Sequence, residues 1–349
     1  MPKLSLKTWI SIATAVLVLL IVVLARKELF HAWQLLTQVN LWVLALLIPI
    51  LLLDYYASGE MFFSYLRAKR RLRKMPHFIQ IRTTLEMNFV NHVLPSGGLS
   101  GISYVTWRLG NLGVSSSRAL MSQVVKVVMG IVGFLLLLFV AVIMVTVDGS
   151  VNRVIILISS VITGIMLAAL VITLFVITNK KRVRVTSRVV VKYVNKVVGF
   201  VSLGRKKKLL DLAKTEAFMD DMHEDYLELK GDVRVLKWPL IWSIIFNVLE
   251  VVVFYIVFLA LGVTVNPALI LIAYGVALLA GFAVITPGGA GAYEALMIGF
   301  LTISGVGGDI AIAGIILARS IILLSILGLG WGFYQQALGR GKSYGKDPA

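Results

Sequence analysis

Ile285-Thr286-Pro287-Gly288-Gly289-Ala290-Gly291-Ala292-Tyr293-Glu294 interrupts a hydrophobic run long enough to enter a bilayer, and it leaves a carboxylate beside the interruption. Proline lacks an amide donor and its ring clashes with the preceding turn, while glycine admits backbone conformations that other residues avoid, so no helix runs smoothly through the stretch. In hydrocarbon, non-helical backbone is stable only where protein or a watery cavity satisfies its amides and carbonyls. Pro287 to Glu294 therefore reads as the tip of a re-entrant helical hairpin, with 267–285 entering the membrane and 293–303 leaving on the same side. The competing reading is a polar loop between two spanning helices.

The composition around this stretch fits a bilayer. Of 349 residues, 59% are hydrophobic, and several uninterrupted apolar segments reach the length of about 20 residues that a hydrocarbon core of roughly 30 Å requires. The absence of cysteine excludes disulfides, thiolate catalysis and cysteine-ligated metal. A net charge of +17 raises the question of nucleic acid, but Lys and Arg stand in blocks beside hydrophobic segments, where anionic headgroups attract them. Nucleic acid is set aside on that placement. The first segment, Trp9 to Ala25, has basic flanks but no small-x-small cleavage site, so it reads as a spanning helix rather than a leader.

In chain order, spans are expected at about 9–24, 41–66, 119–147, 154–177, 238–261 and 310–338. His31 and Trp33 lie in an interfacial stretch after the first. Arg67 to Lys74 holds six basic residues, and 179–208 holds eleven Lys and Arg with no acid; the positive-inside rule puts both in the cytoplasm. Asp211 to Asp232 carries eight acids and reads as an amphipathic connector whose acids pair with the preceding basic run. Phe78 to Leu112, with Arg82, Glu86, Asn88, Asn91, His92 and Pro95-Ser-Gly-Gly-Leu-Ser-Gly101, is too polar to face lipid and reads as a first re-entrant hairpin. Gly328 and Gly332 stand at the close-packing spacing of small residues.

The two broken segments repeat. Gly113-Val114 follows Gly98 by fifteen residues and Lys126 lies thirteen further on; Gly305-Val306 follows Gly289 by sixteen and Arg319 lies fourteen further on. The first hairpin opens from the cytoplasm and the second from outside. The expected fold is an all-α integral membrane protein of about six spanning helices and two re-entrant hairpins in an inverted repeat. It forms one polytopic domain with halves at about 9–147 and 154–338 and a basic, amphipathic linker at 179–237. Broken segments at matching positions of inverted halves point to a midplane transport site.

A charge near the bilayer centre costs about 2.5–3.5 kcal/mol on insertion scales, so it needs a partner or a task. Arg108, Lys126 and Arg319, with helix amino termini near Pro95, Gly97, Gly98 and Pro287, Gly288, Gly289, suggest a basic cavity suited to phosphate. Glu294 is expected to pair with one of these cations or to bind a proton or cationic headgroup; Glu86 and Asn91 complete the candidate set. For each charge the alternative is an ion pair that only orients helices. Asp54 is less certain, and Glu60, near Arg67 and the interface, is read as solvated and discounted. The four histidines show no metal-ligand spacing, and no nucleophile elbow, phosphate loop, zinc motif or nucleotide fingerprint occurs. No cofactor is expected.

Thr286-Pro-Gly-Gly-Ala-Gly-Ala-Tyr-Glu294, Gly305-Val306 and Arg319 resemble the carboxyl-terminal signature of the flippase-like membrane domain related to lysylphosphatidylglycerol synthase. Leu94-Pro-Ser-Gly-Gly98 with Arg108 resembles its amino-terminal signature, departing from it at Ser96. The resemblance implies a helical bundle with re-entrant hairpins that moves a phospholipid, or another phosphate-bearing lipid, between leaflets. The full synthases append a soluble aminoacyl-transferase domain, whereas 349 residues end about ten residues after the last span, so lipid aminoacylation by this chain is not expected. Lipid transfer would be facilitated, or driven by protons through Glu294 or Glu86. The partners expected are anionic membrane phospholipids, with a homo-oligomer and a separate lipid-modifying enzyme as candidates, in a cell membrane with both termini cytoplasmic. The competing classes are a membrane-embedded transferase using Glu294 or Glu86 as base, and a non-transporting scaffold acting through 211–232.

Overall fold

The computed structural model describes residues 6–37, 39–94, 99–147, 153–185, 188, 189, 191, 212–283 and 290–339, and all regular structure among them is helical. Twelve helices are numbered here: α1 (Leu6–Leu24), α2 (Arg26–Leu35), α3 (Leu41–Ala68), α4 (His77–Val93), α5 (Leu99–Gly110), α6 (Ser116–Val147), α7 (Arg153–Ile177), α8 (Leu212–Gly231), α9 (Val233–Ala260), α10 (Pro267–Ala283), α11 (Ala292–Ile303) and α12 (Gly308–Gly339). Five of them, α3, α6, α7, α9 and α12, are long and apolar enough to cross a membrane. The expected sixth, α1, has 19 residues, of which Thr14–Leu24 is the apolar stretch. The α7 side chains Leu157, Val161, Ile165, Val171 and Ile172 are exposed, as a lipid-facing helix requires.

Both broken segments fold back as helix pairs too short to span. The first is α4 and α5, of 17 and 12 residues, and the second α10 and α11, again of 17 and 12. Asn91 draws the first pair together at its tip, where its Oδ1 accepts hydrogen bonds from Gly101 N (2.7 Å) and Ser100 Oγ (3.3 Å). The sequence-stressed tips Pro95, Gly97, Gly98, Pro287, Gly288 and Gly289 lie outside the described residues.

The duplication reaches the level of single hydrogen bonds. α3 and α9 both have 28 residues and α6 and α12 both have 32, and one displacement along the chain carries Leu41 onto Val233 and Ser116 onto Gly308. That displacement also carries Gly113 onto Gly305, and the two turns are the same Schellman cap. Gly113 (φ 82°) is followed by Val114 N donating to Leu109 O at 3.0 Å; Gly305 (φ 98°) is followed by Val306 N donating to Leu301 O at 3.0 Å. It carries Arg70 onto Gly262 as well. Both end a spanning helix with positive φ, 60° and 77°, and the following residue donates back to Leu66 O or Phe258 O. Arg70 holds a conformation that costs a side chain about 1 kcal/mol relative to glycine. Packing repeats too: α2 lies on α12 as α8 lies on α6, and α1 meets α4 as α7 meets α10. α3 and α9 run antiparallel, since Asn40 N at the start of α3 donates to Ala260 O at the end of α9 (2.9 Å), while Tyr56 meets Trp242 ring to edge farther along. Equivalent helices pointing in opposite directions are what an inverted repeat means.

Small residues let the long helices touch, but not at the expected pair. Gly328 and Gly332 face open space, whereas a Cβ on Gly133 of α6 would lie 2.2 Å from Ser243 Oγ and 3.2 Å from α9 backbone, and one on Gly314 of α12 would lie 2.3 Å from the Phe258 ring. Spacing alone does not say which face of a helix meets a neighbour. Within α12, a π-helical turn at Ile326–Gly330 lets Gly330 approach Phe89 and Leu85 of α4.

The acidic connector docks by charge. In α8, Asp225 pairs with Arg118 (3.4 Å) and Glu228 with Lys69 (3.1 Å), while Asp220 pairs with Lys180 (3.3 Å) and Arg184 (2.6 Å) of the basic run. His223 Nδ1 donates to Ile177 O at 2.9 Å, tying α8 to the end of α7. The Arg184 hydrogen bond, ahead of Lys180, holds the Asp220 carboxyl below the usual carboxylate range; burial pushes the Asp225 carboxyl up, against the pull of Arg118.

Two outcomes are expected. Gly133→Val forces α6 from α9 and should lower stability in detergent by about 1–3 kcal/mol, the cost of overpacking, while Gly328→Ala, facing open space, should leave the unfolding midpoint unchanged or raise it. Asp220→Asn should speed hydrogen exchange at 180–185. A carboxyl with a depressed folded pKa contributes in full above its unfolded value and loses that contribution as pH falls through its folded one, so in the unsubstituted protein the same loosening should begin as pH falls below about 4. Exchange at 180–185 that ignores both changes would show that Asp220 does not hold the basic run.

Candidate functional site

α11 begins at Gly291, whose φ of 90° turns the chain into the helix, and Gly291 N donates to Glu294 Oε2 at 2.7 Å. A carboxylate in the first turn is favoured by the helix amino terminus. The other oxygen, Oε1, accepts from Arg319 Nε of α12 at 2.8 Å, and the guanidinium lies 4.2 Å from the Tyr293 ring centroid. Glu294 thus links the described start of α11 to the arginine of the neighbouring long helix.

Arg319 stands between two cavities. On one side a cavity of about 490 Å³ runs along Ile21, Leu24 and Glu28 of α1 and α2, Glu294 and Ile298 of α11, and Ile316, Ile322 and Leu323 of α12. On the other a cavity of about 110 Å³ is lined by Asp54 and Ser58 of α3, Asn88 and His92 of α4, Phe246 and Glu250 of α9, and Ile326 of α12. Arg319 and His92 line both. His92 donates through Nδ1 to Asn88 O at 2.9 Å, which fixes the ring. Lys126 of α6 reaches the inner group, donating to Ser58 Oγ at 2.9 Å with its ammonium 5.6 Å from the Phe62 ring centroid, and it is a charged neighbour of Asp54. Asp54 is 6% exposed and its Oδ1 has no hydrogen-bond partner among the described residues.

A third cleft, of about 540 Å³, lies on α5 and α6 along Ile102, Ser103, Thr106 and Trp107. The displacement that superposes the halves carries Ile102, Ser103 and Thr106 onto Glu294, Ala295 and Ile298. Two clefts therefore occupy equivalent places on inverted halves, and only one carries a carboxylate.

The expected basic cavity is divided and mixed in charge. Arg108 does not join Arg319: its Nε donates to Glu86 at 3.2 Å, alongside Arg82 (2.7 Å) and Tyr104 (2.8 Å), in a group where Glu86 is fully buried and Arg82 also reaches Phe333 O. Around Arg319 and Lys126 stand three carboxylates, Asp54, Glu250 and Glu294. Isolated cations are too costly at this depth, so the chain supplies counter-charges. Glu60, expected to be solvated, is 1% exposed and paired with Arg67, with the Gln80 amide bridging the two. Asn91 serves the hairpin tip rather than a cavity. Sequence reading passed over Glu250 and left Asp54 uncertain; the signal was that two equivalent, oppositely directed helices each carry an acid near mid-length.

Comparison with known proteins agrees with this architecture. No curated protein and no solved structure matches the chain, whereas the family model of the lysylphosphatidylglycerol synthase TM region matches residues 8–330. That match spans both hairpins, every candidate site residue and nearly the whole helical bundle: the chain is a multi-pass membrane protein belonging to the lysylphosphatidylglycerol synthase TM region family.

Proposed function

We propose that the chain moves a phosphate-bearing lipid between the leaflets of a cell membrane, its headgroup passing Arg319 while its acyl chains stay in hydrocarbon. One observation carries the reading: the apolar cavity along α1, α2, α11 and α12 is bordered by a half-buried arginine that also lines the inner cavity. Such a wall accommodates acyl chains, and an arginine fork at its end is matched to a phosphate. The equivalent cleft on α5 and α6 supplies the second opening that alternating access needs, because inverted halves present like surfaces to opposite sides. Family membership supports a lipid as the substrate class. The reading involves no covalent step; Glu86 and Glu294, the carboxylates considered as bases, are both engaged by arginine.

Arg319→Ala should slow leaflet-to-leaflet movement of a labelled phospholipid in proteoliposomes by roughly 10- to 100-fold, the worth of one charge-assisted contact of about 1.5–3 kcal/mol. The double variant Glu294→Gln/Arg319→Gln removes the pair without stranding a charge, so it should keep the fold and still lose transport. Lys126→Ala should also impair movement. Lipid movement at the unsubstituted rate in the folded double variant would remove Arg319 from the path.

A further inference from the structure

The charges around the inner cavity do not balance. Asp54 and Glu250 line it, Glu294 stands at Arg319 on its boundary, and Lys126 and Arg319 are the cations beside them among the described residues. Glu294 and Arg319 satisfy each other at 2.8 Å. That leaves two carboxylates, contributed by antiparallel equivalent helices, facing one lysine. The Lys126 ammonium is itself bound to Ser58 Oγ, and Asp54 Oδ1 is buried without a hydrogen bond. The groups turned toward Asp54 and Glu250 from the packed elements are Tyr55 on α3 itself, His92 on α4, Lys126 on α6, Tyr274 on α10, Tyr293 and Glu294 on α11 and Arg319 on α12. Tyr55 is occupied with Ser325 (2.5 Å) and His92 with Asn88 O. An unbalanced negative charge at this depth is too costly to persist without a bound cation.

We propose that Asp54 and Glu250 together bind one exchangeable proton, and that this proton, rather than one on Glu86 or Glu294, is the ion coupled to movement of the substrate. The proton reaches the pair from water in the larger cavity, past His92 and Arg319, which line both spaces. Held on one carboxyl, it gives Asp54 Oδ1 or a Glu250 oxygen an O–H with which to bond, and it closes the charge count at two carboxylates against two cations. On release the pair carries one unbalanced charge, which draws in Lys126 or Arg319. Pulling Arg319 inward separates it from Glu294 and hence from Gly291 at the start of α11. The binding part stands on the cavity lining, its charge count and the unpartnered Asp54 oxygen; the coupling part rests on the lipid-moving reading.

Infrared titration of the full-length protein in detergent tests the binding part. The unsubstituted protein should show one protonated-carboxyl band across the physiological pH range. Asp54→Asn and Glu250→Gln should each abolish that whole band, because either change alone brings the remaining carboxylates and cations into balance. Each replacement is neutral and of the same shape, so if one fails to fold the other gives the same reading. Lys126→Met removes a compensating cation, and the band should then persist to more alkaline pH. A band that survives both neutral substitutions, or is missing from the unsubstituted protein, overturns the proton site; so does a titration that shifts when sodium replaces choline, which assigns the site to a metal cation. In proteoliposomes, lipid movement should respond to an imposed pH gradient, and Asp54→Asn should lose that response. Movement indifferent to the gradient, with the infrared result intact, overturns the coupling alone. No lipid movement under any condition overturns the transport reading and leaves the proton site standing.

Discussion

No charge can sit in the hydrocarbon-depth interior of this protein without an answer, and the arrangement of its long-range polar contacts follows from that constraint. The desolvation penalty for a buried ion is several kcal/mol and only a well-made pair offsets it. Glu86 is answered by Arg82, Arg108 and a tyrosine hydroxyl; Glu60 by Arg67 and an amide; Glu294 by Arg319 and a backbone amide. Each group spans at least two helices or two parts of a hairpin, so the same pairs that neutralise charge also fix where the helices lie. The group at Asp54, Glu250 and Lys126 is the exception among the described residues, because its acids outnumber its cation.

The duplication explains how that exception arises. α3 and α9 are equivalent, antiparallel and in contact, so a residue near the middle of one meets a residue near the middle of the other. An acid in each then produces a facing pair. The repeat is strict in backbone, down to the glycine or arginine with positive φ at four helix ends, and loose in charge: Glu294 corresponds to Ile102 and Arg319 to Val127. One cleft therefore carries an ion pair and its counterpart, among the described residues, does not. A scaffold copied with its geometry intact and its charges rewritten keeps two clefts, of which one carries the Glu294–Arg319 pair.

Helices and hairpins were legible because their signals are local. Apolar length, proline and glycine breaks, and basic blocks act within one segment, and the turn at Gly305-Val306 could be matched to Gly113-Val114 by counting alone. Partnership is a different kind of information. Arg108 and Arg319 each answer an acid only 22 or 25 residues away, yet spacing along the chain does not say which face of α5 or α12 turns toward it. The same limit put the close approach at Gly328 and Gly332 instead of Gly314 and Gly330. Glu60 is buried for a related reason: nearness to a basic block along the chain is not nearness to water.

Arg319 gains its significance from being shared. Its guanidinium is held by Glu294, which is held by the first amide of α11; on its other side it borders the cavity of Asp54 and Glu250. On the proposed function, a phosphate arriving along α1 and α2 would compete with Glu294 for the same guanidinium, and what it would displace is a carboxylate fastened to the start of the short hairpin helix. Glu294 without its arginine would keep only the Gly291 amide, so that displacement would bear on the position of α11. On the proposed function, headgroup binding and hairpin position would be linked through one ion pair, with no need for the long helices α3, α6 and α9 to separate. The close glycine contact between α6 and α9 resists such separation. The short hairpin helix, tied to α12 by that one pair, is the element such a displacement would act on.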